Sequence, residues 1–272
     1  MAFGPFITSG IHVFHGQRQL WLSRALRKGL HFPGHQLPGA GGDTPLWQTR
    51  GYNYAIGIFF AIGSVLFAAA SILVLPIGVS DEVNHLANMT YFAGSIPFTI
   101  AATLQHLQSA NTIIPGPDGV MPARGGLRLI GWAPRNAGWW STLSQWMGTI
   151  AFNVSTFNAI TPPDSPGLAR LLVWEQNVEG SVLFLISGYL AFIEVSHRFW
   201  SWQPGNLSWR VVFVNFAGCV AFMIAALAPA SITEPTFMAY LTLGDCYTLL
   251  GAICFLAGAL LSLPESRHAR KA

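Results

Sequence analysis

The sequence predicts an all-α integral membrane protein: six transmembrane helices arranged as three tandem helical hairpins, with both termini cytoplasmic. Three observations carry this reading. The 272 residues are 52% hydrophobic and 9% charged, whereas a soluble domain carries about 25% charged residues to cover its surface. Lipid is the solvent that suits such a composition. Six apolar stretches, near 52–76, 88–110, 139–160, 176–198, 209–230 and 240–263, meet the length of about 20 residues that crosses a hydrocarbon core. Of the 14 Lys and Arg, all but Arg170 fall before the first span, in the loops after the second and fourth, or in the tail. Basic loops stay in the cytoplasm, so that side is inside. The opposite loops are short and acidic, with Asp81, Glu82, Asp164, Glu175 and Glu234.

The spans also repeat. GSIPFTIAATLQHLQSAN from Gly94, GSVLFLISGYLAFIEVSH from Gly180 and GAICFLAGALLSLPESRH from Gly251 align without a gap. Each has Phe four residues on (Phe98, Phe184, Phe255), Gln or Glu at fourteen (Gln108, Glu194, Glu265), and Asn or His at seventeen (Asn111, His197, His268). The segments before them align as GSVLF from Gly63, GTIAF from Gly148 and GCVAF from Gly218, ending on Phe67, Phe152 and Phe222. Each of these glycines follows a Trp by sixteen residues (Trp47, Trp132, Trp202). Self-similarity on this scale means one supersecondary unit used three times. Gly and Phe four apart share a helix face. The Gly admits a neighbouring backbone and the ring fills the space beside the neighbour's Gly, which is how helices pair in lipid.

Residues 1–46 form a cytoplasmic segment with an amphipathic helix expected near 18–30. There Leu22, Ala25, Leu26 and Leu30 share one face, Arg24, Arg27 and Lys28 the other, with Trp21 at the boundary. Such a helix lies on an anionic membrane surface or docks on the ends of the spans. Hairpins follow at 47–111, 132–198 and 202–268, with a Gly- and Pro-rich cytoplasmic connector at 112–131 and a basic tail at 269–272. The third span is the most polar, with Gln145, Asn153, Ser155, Thr156 and Asn158, so it should face other helices. The first fifteen residues lack the basic start and apolar core of a cleavable signal peptide, and none is expected.

A Trp and Arg ahead of one helix, GSxxF in it and GSxxF in the next resemble the YrhK-like domain, a small bacterial two-helix membrane domain. Trp47, Arg50, Gly63-Ser64-Val65-Leu66-Phe67 and Gly94-Ser95-Ile96-Pro97-Phe98 carry the resemblance in the first copy. Trp132, Arg135, Gly148 and Gly180-Ser181-Val182-Leu183-Phe184 carry it in the second. The third departs from it, with Gly205 in place of Arg, and Cys219 and Ala252 in place of Ser. The resemblance implies the architecture and a bacterial cytoplasmic membrane, and no chemistry.

Candidate sites are few. Trp47, Arg50, Gln108 and Asn111, then Trp132, Arg135, Glu194 and His197, then Trp202, Glu265 and His268 should each gather at the cytoplasmic end of a hairpin. An Arg–carboxylate pair and an anchoring Trp there would clasp the helix ends, and Arg198 is a local partner for Glu194. The other reading is a polar inner mouth around a pseudo-threefold axis. Asn153, Asn158 and Asn215 are the candidate polar path inside the bundle. His12, His15, His31 and His35 are close in sequence but lack accompanying Cys or carboxylates apart from Asp43, so no metal site is assigned. Cys219, Cys246 and Cys254 have neither metal nor disulfide spacing. GxxxxGK[ST], HExxH, GxSxG and the dinucleotide fingerprint are all missing, so neither an enzyme nor a cofactor is expected.

The net charge of +3 reports topology, and nucleic acid is not an expected partner. The expected partners are the bilayer and further membrane subunits or a second copy. Two functions are open: a structural or interaction subunit packing through Gly/Phe seams, or a transporter or channel-like pathway for a small neutral solute or ion along the repeat axis.

Overall fold

The computed structural model describes residues 2–3, 5–14, 17–31, 44–75, 79–113, 126–228 and 237–269. Strand β1 (Ala2–Phe3) pairs with β2 (Phe6–Ile7), and β3 (Ser9–Phe14) with β4 (Gln17–Leu22), both antiparallel. The other regular elements are helices: α1 (Ser23–Lys28), α2 (Arg50–Val74), α3 (Asp81–Ala110), α4 (Ala137–Ile160), α5 (Pro166–Ala169), α6 (Gln176–Ser196), α7 (Leu207–Leu227) and α8 (Phe237–Ser266). A π-helical turn at Arg170–Glu175 joins α5 to α6, making one helix from Pro166 to Ser196.

The helix expected over 18–30 is corrected to Ser23–Lys28, with a strand before it. Across the β3–β4 ladder Gly10 faces Trp21, and a side chain at Gly10 would strike the indole at 2.7 Å. That notch seats Trp21 and commits its neighbours to extended backbone. Nor does α1 lie on a surface, because all six of its residues are buried.

Among the described residues, four helices are long and apolar enough to cross a membrane: Arg50–Val74, Pro166–Ser196, Leu207–Leu227 and Leu243–Ser266. Polar side chains start four of the long helices, with Ser80 Oγ accepting from the Val83 N–H in α3. Thr49 Oγ1 accepts from the Tyr52 N–H, Asn136 Oδ1 from those of Gly138 and Trp139, and Asn206 Oδ1 from those of Ser208 and Trp209. These caps satisfy N–H groups that a helix start leaves unpaired.

Helices α2, α3, α4, α6, α7 and α8 each pack on the next, and α8 closes on α2, making a ring in chain order. Small residues let the partners approach. An added Cβ at Gly63 would meet the Phe98 ring at 2.6 Å, and one at Gly94 the Phe67 ring at 2.8 Å. Gly148 stands likewise against Phe184, Gly180 against Phe152, Gly218 against Phe255 and Gly251 against Phe222. The six rings then meet across the middle of the ring of helices. Phe67 reaches Phe222 at 6.1 Å, Phe98 reaches Phe255 at 5.8 Å, and Phe184 reaches Phe255 at 5.7 Å. Buried serines bond to carbonyls of their own helix, as Ser64 does to Phe60 and Ser181 to Asn177. Ile62, Val65, Ile96, Ile150, Phe157, Ile186, Val220 and Ile253 point outward and are exposed. Small residues, polar side chains and the phenylalanine rings lie inside, and mainly aliphatic side chains cover the outside, the distribution expected of a lipid-facing bundle.

Candidate functional site

The buried charges gather where α1 meets one end of the bundle. Arg24 holds Glu265 with two parallel bonds, Nε to Oε1 at 2.8 Å and Nη2 to Oε2 at 2.9 Å, a fit that the planar guanidinium provides. Lys28 Nζ donates to Oε2 of the same carboxylate at 2.6 Å, and Ser208 Oγ to Oε1 at 2.6 Å. Glu194 accepts from Arg27 Nη2 and from Ser23 Oγ, both at 2.7 Å. Each carboxylate is only 1% exposed, and buried charges persist when so partnered.

Burial drives the Lys28 ammonium down to about 8 against the pull of Glu265, and Arg24 and Arg27 add repulsion. Burial opposes the charge on Arg24 too, but the charge and hydrogen bonds of Glu265 outweigh it and its pKa is raised.

The turn after α1 requires its glycine. Gly29 has φ 67°, and a side chain there would strike the Gln48 carbonyl. The left-handed turn lets the Leu30 N–H donate to the Ala25 carbonyl at 2.9 Å, a helix-ending pattern that glycine suits. Leu30 then bridges to Ala269, and the His31 N–H donates to the His268 carbonyl at 2.7 Å.

Gln108, Glu194 and Glu265 face a matching set on the preceding helices. Asn53, Gly138 and Ser208 each lie six residues after Trp47, Trp132 and Trp202. Gln108 Nε2 donates to Asn53 Oδ1 at 3.0 Å, Ser208 bonds Glu265, and Gly138 abuts the Glu194 carboxylate. Asn53 Nδ2 also donates to the Lys28 carbonyl at 2.9 Å, so one helix of each facing pair touches α1 or its ligands. This second set escapes a search for shared residues because the three side chains differ; their equal distance from a Trp is the signal.

Beneath α1 lies a cavity of about 70 Å³. Arg24, Arg27 and Lys28 line it, with Gln105, Gln145 and Asn215 from three helices and the Phe184 and Phe255 rings. Arg27 Nε, Gln108 Oε1 and Asn215 Oδ1 are buried there without a hydrogen-bond partner among the described residues. A second cavity, of about 50 Å³, touches Phe67, Phe98, Phe152, Phe184 and Phe222, together with Asn177 and Thr248.

No known family, curated protein or solved structure matches the chain.

The clusters expected within each hairpin are not self-contained. The cations on Glu194 and Glu265 come from α1, while Arg50 bonds the Tyr54 hydroxyl, Arg135 contributes its carbonyl to the Ile7 N–H, and Arg198 is exposed. Trp47 joins through its carbonyl, which accepts from Gln108 Nε2 at 2.6 Å. Trp132 and Trp202 are 75% and 66% exposed and pack edge-on against Trp139 and Trp209. His197 Nδ1 bonds Thr8 Oγ1 at 2.9 Å, and Asn111 pairs with the Arg128 backbone. Asn215 lines the cavity beneath α1, but Asn153 and Asn158 line neither cavity. Asn153 Nδ2 donates to Thr99 and Asn158 Nδ2 to the Val154 carbonyl of its own helix. His15, His35 and Asp43 fall outside the described residues.

Proposed function

We propose that the chain is a six-span membrane protein of three tandem hairpins whose axis carries a compartment for a small solute or ion, seen here shut. The observation that carries this is equivalence of position. Phe60, Gln145 and Asn215 each stand thirteen residues after their Trp, and Gln105, Ala191 and Ser262 eleven after Gly94, Gly180 and Gly251. All six line the one cavity. Three hairpins that direct matching positions at a common space surround an axis, which supports triplication of a unit like the YrhK-like domain.

Length and surface support six spans. Helices α3 and α4 have 30 and 24 residues, about 45 and 36 Å at 1.5 Å per residue, against a core of about 30 Å. They expose Ile96, Ile100, Met147, Ile150 and Phe157 on their outer faces, and inside Asn153 Nδ2 donates to Thr99 Oγ1 at 2.8 Å. The basic loops favour a cytoplasmic side for both termini and α1. On this reading α1 closes the inner end, and the aromatic rings close the middle.

The Gly/Phe seams act within the chain, between its own helices, which favours the pathway over a seam that recruits a subunit. Reconstitution in liposomes tests it. Replacing Glu194→Gln together with Glu265→Gln should release α1 and pass small solutes or ions that the unaltered protein retains. If both forms stay folded and impermeable, the chain is a packing subunit instead.

A further inference from the structure

We infer that the cavity beneath α1 binds one small monovalent anion, of halide or nitrate size. Among the described residues the charges do not balance. Arg24, Arg27 and Lys28 bring three cations into a buried cluster in which Glu194 and Glu265 supply two carboxylates. At the third matching position stands Gln108, a neutral amide. Among the described residues, the lining itself contains the three cations and no carboxylate.

A buried cluster with one surplus positive charge is costly unless an opposite charge joins it. Water fills space but does not cancel charge. The hydrogen-bonding groups agree. Arg27 Nε is an unused donor, and Gln145 and Asn215 add amides to the wall. Gln108 Oε1 and Asn215 Oδ1 are unused acceptors, suited to waters that would accompany an ion. Size sets the limit: a water needs about 10–15 Å³ of such volume, so about 70 Å³ admits one small ion with a few waters and excludes an organic acid such as gluconate.

The inference rests on the cavity being the working compartment, yet binding and passage are separately measurable. The full chain, purified in detergent, is held at constant ionic strength in gluconate, and chloride or nitrate is substituted for it. Thermal unfolding should shift upward, saturably, with either small anion. Lys28→Met leaves both Arg–Glu pairs in place and removes the surplus charge, so half-saturation should rise about tenfold or more. Asn215→Leu should also weaken binding, and serves as the second variant should Lys28→Met fold poorly. Identical unfolding in chloride, nitrate and gluconate overturns the inference, as does unchanged chloride affinity in the folded variants. Anion binding without flux through either liposome form keeps the site and removes the pathway. Flux of an uncharged solute without anion binding does the reverse.

Discussion

Gly138 lies directly against the carboxylate of Glu194, on which Ser23 and Arg27 close from α1. The space a side chain would occupy is taken by the acid. Gly138→Ala should therefore push Glu194 off its partners and cost about 1–3 kcal/mol, as overpacking does. Thermal unfolding in detergent would register the loss, and protease cleavage beside Arg27 and Lys28 would report whether α1 leaves its seat.

Glu265 should prove the most sensitive position of the site. Glu265→Ala leaves Arg24 and Lys28 buried without their shared anion, a change that costs about 3–5 kcal/mol. Ser208→Ala removes one hydroxyl from the same carboxylate and should cost less, about 1.5–3 kcal/mol. Adding Lys28→Met to Glu265→Ala should recover part of the loss. A double variant no more stable than Glu265→Ala alone would show that Lys28 does not depend on that acid.

The pH response belongs to Lys28. Its folded pKa is about 8 against 10.5 for the free side chain. Below 8 both states hold the proton and Lys28 adds no slope. Between about 8 and 10.5 the unfolded chain keeps a proton that the folded chain has released, so stability rises with pH. The unfolding midpoint of the parent protein, measured from pH 7.5 to 10, should climb relative to Lys28→Met. Parallel curves would contradict it.

Two glycine classes should separate cleanly. Gly63→Ala drives a methyl into the Phe98 ring and the Gly94 carbonyl, and Gly251→Ala into the Phe222 ring; each should cost about 1–3 kcal/mol. Gly51 has nothing within 4 Å, so Gly51→Ala should be neutral or gain up to about 1 kcal/mol. Unfolding of the three variants side by side decides it.

The helices were legible because their signals are local. Apolar runs mark them, and Gly and Phe four apart translate into ring-on-glycine contacts. Gln108, Glu194 and Glu265 could be placed at one end by counting residues from Gly94, Gly180 and Gly251. Their partners could not, since Arg27 lies 167 residues from Glu194 and Arg24 lies 241 from Glu265. The basic face of α1 suits lipid phosphates and buried carboxylates equally, and only packing decides between them. Arg135 and Arg198 looked like closer ligands for Glu194, but neither comes from the element that covers the carboxylate. Strand β4 was hidden for a related reason: Gly10, the residue that makes room for Trp21, sits in another strand.

The docking of α1 on Glu265 also constrains the order of assembly. The ribosome delivers Arg24 and Lys28 ahead of α2 and their acid only at the end of α8. Throughout synthesis the basic turn must therefore wait in water or on lipid headgroups. Its seating marks the closing of the helix ring, and a chain truncated within α8 would leave those cations unclaimed, a tag for quality control to read.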